Sequence, residues 1–309
     1  TTGSLVTDLL RLSCHFVSRK PQAFVDILEL LILGRRLEQQ TLMFAWLFFL
    51  SFAALNFHQL LSSILFVSMT LTGIHLYYLG FFIIPIISFS LLWNPRPQGL
   101  SSLISEKNTS KHTARVIRYG FYGIVRTLPF VLVSLTLFVW TLWFTWTPFN
   151  SPATADGSAP PTKLQYIFGA THGISGWNPY KDKAFLDAVS FSQNVSLFAL
   201  TLYIVTASVS CLHRTHSLLS ISPLHNKRWI FSAILCLALA IVFFLISEHD
   251  RLSLFTHIHP YMYILLFGWV PCQILLDEIV KKNTSAHFTR TQDILKLDYN
   301  TKLGMYSPI

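Results

Sequence analysis

The chain has 309 residues, of which 52% are apolar and 12% are charged, and its mean hydropathy is +0.50. This composition excludes an ordinary soluble domain and predicts an integral membrane protein, whose main partner is the lipid bilayer. The formal net charge of +9 would favour a nucleic-acid partner in a soluble protein. In a membrane protein, the positions of the basic residues instead indicate which side of the membrane each loop faces.

Six apolar runs are long enough to cross a bilayer as helices, since about 20 residues suffice. They are residues 41–69, 75–93, 119–147, 188–212, 229–247 and 258–280. With both chain ends in the cytosol, eighteen of the 23 Lys and Arg residues lie in cytosolic segments and four lie in the two opposite loops, 148–187 and 248–257, while Arg126 lies within the third run. This bias predicts the orientation and explains the basic charge without nucleic acid. The predicted fold is therefore an all-α bundle of six transmembrane helices.

Residues 1–40 are predicted to form a cytosolic approach and a stalk helix. Apolar residues recur there at helical spacing, at Phe24, Ile27, Leu28, Leu31 and Ile32. Because no breaker precedes the first apolar run, we expect one helix to continue from the cytosol into the membrane. The chain opens on "TTGSLVTDLL" without a methionine, so we expect further cytosolic domains upstream.

The first transmembrane helix pair, residues 41–93, contains the polar stretch "LNFHQLL". Asn56 and Gln59 fall near the predicted bilayer centre, and their spacing of three residues places them on one helix face. His58 points elsewhere and is interpreted as a packing histidine. His75 is expected at the turn, within reach of solvent.

The second apolar run contains Gly80 and Pro85, which predict a kinked or partly unwound helix. Ser88 and Ser90 follow this break and are expected at the depth of the polar pair in the first helix. Oxygen atoms of side chains, and backbone carbonyls freed by the break, are ligands that hard cations prefer. The sequence therefore predicts a candidate magnesium site formed by the side chains of Asn56, Gln59, Ser88 and Ser90.

Two interpretations of Asn56 and Gln59 stay open. They either line a cation path or form hydrogen bonds to a neighbouring helix, each contributing about 0.6 to 2 kcal/mol. No Asp or Glu occurs between Glu38 and Glu106, although a strong divalent-cation site normally includes a carboxylate. Any site made from these residues is therefore expected to be weak.

The remaining segments complete the domain organisation. They are a basic cytosolic connector at 94–118, a four-helix bundle at 119–282 with a lumenal loop at 148–187, and a cytosolic tail at 283–309. Arg126 is expected to snorkel to the cytosolic face of its helix. Asp277 and Glu278 precede two lysines by four residues each, so they are expected to be solvated at a helix end.

Several short motifs occur in a recognisable order along the chain. A stalk helix with "GRR" is followed by a polar first span, "WNPRP" after a Gly/Pro-broken second span, "RTHSLL", "HNKRW" and "LLDEIVKK". This order resembles the six C-terminal transmembrane helices of P-type cation-transporting ATPases. The tail "KLDYNTKLGMYSPI" resembles that of the transmembrane protein 94 family, a divergent branch linked to magnesium uptake into the endoplasmic reticulum.

The resemblance implies the membrane part of a multi-pass cation transporter in the endoplasmic reticulum membrane, with magnesium as the transported ion. It also implies that ATP binding and the phosphorylated aspartate belong to upstream cytosolic domains, so no catalytic residue is assigned within this chain. Asn56 matches the asparagine of the family pattern, and Gln59 stands where the family has an acidic residue. The acidic residues that the family pattern has near Gly80–Pro85 and Ile204 are missing from this sequence. The second hypothesis is therefore a pseudo-pump, a structural or regulatory scaffold that does not transport ions.

Overall fold

A computed structural model describes residues 23–93, 112–146, 167, 183–212, 224, 226–248 and 258–305. The main helices are α1 (Ala23–Ile64), α2 (Gly73–Tyr78), a π-helical segment (Leu79–Ile83), α3 (Ile84–Ser90), α4 (His112–Thr145), α5 (Lys183–Cys211), α6 (Lys227–Ser247) and α7 (Pro260–Met305). The described chain is helical throughout its regular structure. The all-α prediction is confirmed.

Six stretches are long and apolar enough to cross a membrane, as the sequence predicted. They are Glu29–Ile64, Gly73–Trp93, Gly120–Thr145, Lys183–Cys211, Lys227–Ser247 and Pro260–Ile294. The described part of the chain therefore forms six candidate membrane-spanning helices, and the protein is a multi-pass membrane protein. Most of the predicted connector at 94–118 and of the predicted loop at 148–187 lies outside the described residues.

Helix α1 is a single helix of 42 residues, so it is about 63 Å long and exceeds the roughly 30 Å hydrocarbon thickness of a bilayer. It joins the predicted stalk to the first span, as expected. It ends at Ile64, earlier than the predicted 69, and the chain reverses over residues 65–72. Phe66 in this turn has a φ of 52°, an uncommon conformation for a residue with a side chain.

The second transmembrane helix stays helical through its glycine and proline. Its middle is the π-helical segment Leu79–Ile83, in which the Ile84 amide donates to the Leu79 carbonyl, and α3 then begins with Pro85 in its first turn. The wider π turn accommodates the missing proline N–H without a break. The helix type changes at Leu79–Ile83, but the chain continues as a regular α-helix over Ile84–Ser90, so the predicted partly unwound interruption is wrong.

Helix α5 is the centre of the bundle and packs against α1, α3, α4, α6 and α7. The apolar window of α5 is 78% buried, against 22% for the windows of α6 and α7. Its buried face includes many polar residues, among them Ser192, Gln193, Asn194, Ser196, Thr201 and Ser208. In lipid such groups need partners inside the protein, so α5 is where polar contacts between helices concentrate.

Gly123 allows α4 to approach α1 closely. A Cβ atom at Gly123 would lie 3.1 Å from Leu50 Cδ1 and 3.3 Å from Trp46, whereas a Cβ atom at Gly120 would meet nothing within 4 Å. We predict that Gly123→Leu lowers the free energy of unfolding by about 1 to 3 kcal/mol through overpacking, while Gly120→Leu does not. Thermal unfolding of both variants in detergent measures the difference. Equal stability of the two variants would contradict the close contact.

Candidate functional site: three buried polar clusters

The polar pair in α1 does not form a shared site. Asn56 is exposed on the outside of the bundle, and its Nδ2 donates to the Phe52 carbonyl of the same helix at 3.0 Å. Gln59 is partly buried, and its Nε2 donates to the Leu71 carbonyl at 3.4 Å. Gln59 therefore ties α1 to the following turn, while Asn56 contacts only its own helix among the described hydrogen bonds.

The predicted serine pair is buried in the second transmembrane helix. Ser90 Oγ donates to the Ile87 carbonyl at 2.6 Å. Ser88 is fully buried, and its Oγ has no hydrogen-bond partner among the described residues.

The two predicted pairs lie at different depths. The Phe44 and Phe89 ring centroids are 5.0 Å apart, so Ser88 and Ser90 lie near the level of Phe44. Asn56 is twelve residues further along α1, which corresponds to about 18 Å. The structure therefore does not bring Asn56 and Gln59 together with the serines.

His58 is the polar residue of "LNFHQLL" that enters the bundle interior. The His58 cluster consists of His58, Thr70, Ser134 and Ser196, all fully buried. The His58 Nδ1 lies 3.2 Å from Thr70 Oγ1, and its Nε2 lies 3.4 Å from Ser134 Oγ and 3.5 Å from Ser196 Oγ. The Ser134 and Ser196 hydroxyls are 3.1 Å apart. This cluster joins α1, the 65–72 turn, α4 and α5.

A second set of side chains, the Glu248 relay, runs from Thr72 through His75 and Asn194 to Glu248. The Thr72 backbone N–H donates to His75 Nδ1 at 3.3 Å, and His75 Nε2 lies 3.0 Å from Asn194 Oδ1. A ring nitrogen that accepts a hydrogen bond carries no proton, so the ring is neutral with its proton on Nε2. His75 Nε2–H therefore donates to Asn194 Oδ1, which turns the Asn194 amide nitrogen toward Glu248.

The amide nitrogen of Asn194 completes the relay. It donates to Glu248 Oε1 and, at 2.9 Å, to Ser247 Oγ, while Ser190 Oγ donates to the same carboxylate oxygen at 3.4 Å. Glu248 is fully buried, although its position just after an apolar run had suggested a lumenal loop. His75 is also buried, with 6% of its surface exposed, so its predicted contact with solvent is wrong. The His75 side chain accepts a hydrogen bond from the Thr72 backbone and so helps to cap the N-terminus of α2, which holds the ring against the protein and away from solvent.

A third cluster, the Arg126 pair, joins α4 to α7. Arg126 Nε donates to Asp277 Oδ1 at 2.9 Å, and Arg126 Nη2 also contacts Ser210 Oγ on α5. The Asp277 side chain is 1% exposed and that of Arg126 is 12% exposed. The predictions that Arg126 snorkels and that Asp277 is solvated are both wrong. The two charges neutralise each other inside the bundle instead.

Neighbouring side chains support the Arg126 pair. Gln273 Nε2 donates to the Arg126 carbonyl at 3.5 Å, and Trp269 Nε1 donates to Gln273 Oε1 at 3.2 Å. One turn beyond Asp277, Lys281 lies 3.6 Å from Glu278. Asp277 and Glu278 therefore each have a basic partner.

The clusters indicate what chemistry the bundle interior permits. Within the part of the chain that the structure describes, no three His, Cys, Asp or Glu side chains converge as a metal site would require. At the Glu248 relay, the carboxylate oxygen Oε1 accepts hydrogen bonds from Asn194 Nδ2 and Ser190 Oγ, while the Asn194 oxygen accepts from His75. These contacts give the buried carboxylate partners within the protein, as a membrane interior requires.

Comparison with known proteins identifies no family for this chain. Neither a protein-family model nor a curated protein matches it.

The Arg126 pair predicts a specific stability effect. Asp277→Leu leaves the Arg126 guanidinium buried without its carboxylate, so we expect the free energy of unfolding to fall by about 3 to 5 kcal/mol. The double variant Arg126→Leu/Asp277→Leu should recover most of this loss, because neither charge remains. Unfolding in detergent measures both, and Asp293→Leu, at an exposed position of the same helix, is the control. Wild-type stability of the single variant would contradict the pairing.

Proposed function

We propose that this chain is the transmembrane part of a P-type-ATPase-like transporter that moves magnesium into the endoplasmic reticulum. The observation that carries the proposal is the continuity of α1, which runs over Ala23–Ile64 without a break. ATP would be bound and hydrolysed in cytosolic domains outside this chain. In such a protein the membrane part needs a rigid element that transmits their movement to the ion path.

Helix α1 has the contacts that this role needs. It packs against the second transmembrane helix, α4 and α5, and His58 connects it to three of its neighbours through hydrogen bonds. Its first turns in the described span expose Leu30, Leu33 and Leu37. A shift of α1 along its axis would therefore move the polar interior of the bundle.

The second transmembrane helix is the element that would respond. Its π-helical segment Leu79–Ile83 lies between two α-helical parts, and π turns are often found at functional sites. Phe52 of α1 faces this segment, since a Cβ atom at Gly80 would lie 3.4 Å from the Phe52 ring. Movement of α1 would press directly on the π turn.

Of the four predicted oxygen ligands, Asn56 lies on the outside of the bundle, and the others fit this proposal only as successive contacts. Gln59 and Ser88 face protein, but the two pairs are at different depths, so a cation would meet them one after the other. None is a carboxylate, and a weak interaction at each step favours an ion that keeps much of its hydration shell.

The alternative function is a pseudo-pump that serves as a membrane scaffold. The absence of acids from Glu38 to Glu106 favours it, as does the neutralisation of Asp277 by Arg126. A scaffold would need the same packing but would show no ion flux. Flux measurements on the full-length protein in liposomes therefore separate the two functions.

Breaking α1 tests the proposed coupling. Leu37 is 54% exposed, so Leu37→Pro would disrupt the helix, at a cost of about 3 kcal/mol, without removing a packed side chain. We expect ATP hydrolysis by the full-length protein to continue while ATP-dependent magnesium accumulation in liposomes is lost. Leu37→Ala is the matched control and should retain both activities. Normal accumulation by Leu37→Pro would contradict coupling through this helix.

Replacing the polar pair tests its place in the ion path. The double variant Asn56→Leu/Gln59→Leu removes the amide groups but suits a membrane helix. If the pair lines the path, flux should be lost at nearly unchanged stability. If Gln59 only ties α1 to the turn, the melting temperature should fall, by an amount corresponding to about 1 kcal/mol per lost contact, with flux retained. Measuring both quantities on one purified variant decides between these roles.

A further inference from the structure

We propose that the turn at residues 65–72, which joins the first two membrane spans, is buried among the lipid acyl chains of one bilayer leaflet rather than surrounded by water. In the orientation predicted from the basic residues, this leaflet is the lumenal one. The partner of the turn is therefore the hydrocarbon of that leaflet. This inference goes beyond the proposed function, because it depends neither on transport nor on magnesium.

The outer surface of the turn is apolar. Its exposed large side chains, together with those of the two adjoining helix ends, form what is here called the turn surface. They are Ile64, Leu65, Phe66, Met69 and Ile74. Turns in water are dominated by Gly, Pro, Asn, Asp and Ser, whereas a contiguous exposed apolar patch marks contact with a membrane or with another protein.

The backbone polar groups of the turn have partners within the protein. The N–H groups of residues 65–67 donate to carbonyls of the last turns of α1 at 2.9 to 3.2 Å. The Met69 carbonyl accepts from Gln193 Nε2 at 2.6 Å, and the Leu71 carbonyl accepts from Gln59 Nε2 at 3.4 Å. Water would satisfy such carbonyls on a solvated turn, but in hydrocarbon they need partners from the protein. Apolar groups outside and paired polar groups inside are what a turn immersed in lipid requires.

Phe66 keeps a large side chain in spite of its backbone conformation. Its φ of 52° lies in the left-handed region, where glycine would be less strained. Glycine would have no side chain to bury, so the aromatic ring offsets the strain only in apolar surroundings. Because 74% of the Phe66 surface is free of contact with the described residues, a lipid leaflet can supply those surroundings.

The position of the turn beside α5 places it below the end of the bundle. Met69 lies at the level of Gln193, and the exposed Lys183 at the start of α5 is ten residues earlier, which corresponds to about 15 Å. In addition, residues 39–95 contain no Asp, Glu, Lys or Arg, so the helical hairpin has no charged side chain that would hold its turn in water. These two observations favour lipid over a protein partner in the lumen.

Spin labelling of the full-length protein in phosphatidylcholine liposomes tests this placement. A nitroxide is attached to Phe66→Cys or, separately, to Met69→Cys, after the native cysteines have been replaced by alanine. Relaxation of the label by molecular oxygen, which concentrates in hydrocarbon, is compared with relaxation by a water-soluble nickel chelate. Phe49→Cys, at an exposed position in the middle of α1, is the lipid reference, and Lys183→Cys is the water reference.

We expect both turn labels to respond to oxygen and not to the nickel chelate, as the label at position 49 does. A nickel response like that of the label at position 183 would overturn the proposal. Protection from both reagents would also overturn it, because a segment of this chain or another protein would then cover the turn.

A second measurement needs no replacement of native cysteines. Phe66→Asp places a charge on the turn surface, and Phe66→Leu is the matched control. Asp tolerates the left-handed conformation better than Leu does, so the backbone alone would favour the Asp variant. If the turn lies in hydrocarbon, Phe66→Asp should have the lower melting temperature in liposomes at neutral pH, and acidification should narrow the difference by neutralising the carboxylate. Equal melting temperatures at neutral pH would contradict burial in the leaflet.

Discussion

The structure depends on one constraint, that polar groups inside a membrane bundle must find their partners within the protein. Helix α5 concentrates this requirement, because it is the most buried span and still carries many Ser, Thr, Asn and Gln side chains. Some of these groups bond to carbonyls of their own helix, as Thr201 does to Leu197. The others reach neighbouring helices, and these contacts determine how the bundle is assembled.

The contacts of α5 form at separate levels and involve different neighbours. Near its middle, Ser196 joins α1 and α4 through the His58 cluster. Close by, Asn194 joins the second transmembrane helix and α6 through the Glu248 relay. At the C-terminal end of α5, Ser210 contacts Arg126, which joins α4 to α7 through Asp277. Each polar contact thus fixes the position of one helix along its neighbour. Apolar surfaces alone would allow the two helices to slide past each other.

The number of spans and the continuity of the stalk helix could be predicted from the sequence, because both depend on the length and composition of apolar runs. The polar contacts could not, because they depend on which residues from distant runs meet. Arg126 and Asp277 are 151 residues apart, and each alone resembles an ordinary residue at a helix end. Glu248 was placed in a loop because it follows the last apolar residue, and only the packing of Asn194 shows that it is buried. Within "LNFHQLL", spacing favoured Asn56 and Gln59, but the rotation of α1 in the bundle places His58 inside.

The two buried carboxylates among the described residues join different helices through different kinds of contact. Asp277 has a guanidinium at 2.9 Å, so a metal ion there would have to displace a positive charge that is covalently part of the protein. Glu248 instead accepts hydrogen bonds from an amide and a hydroxyl group on α5. Asn194 and Ser210 are sixteen residues apart on α5, which separates the two sites by about 24 Å. One end of the bundle is thus held by an internal ion pair between α4 and α7, while the other is held by hydrogen bonds from α5 to the carboxylate that follows α6.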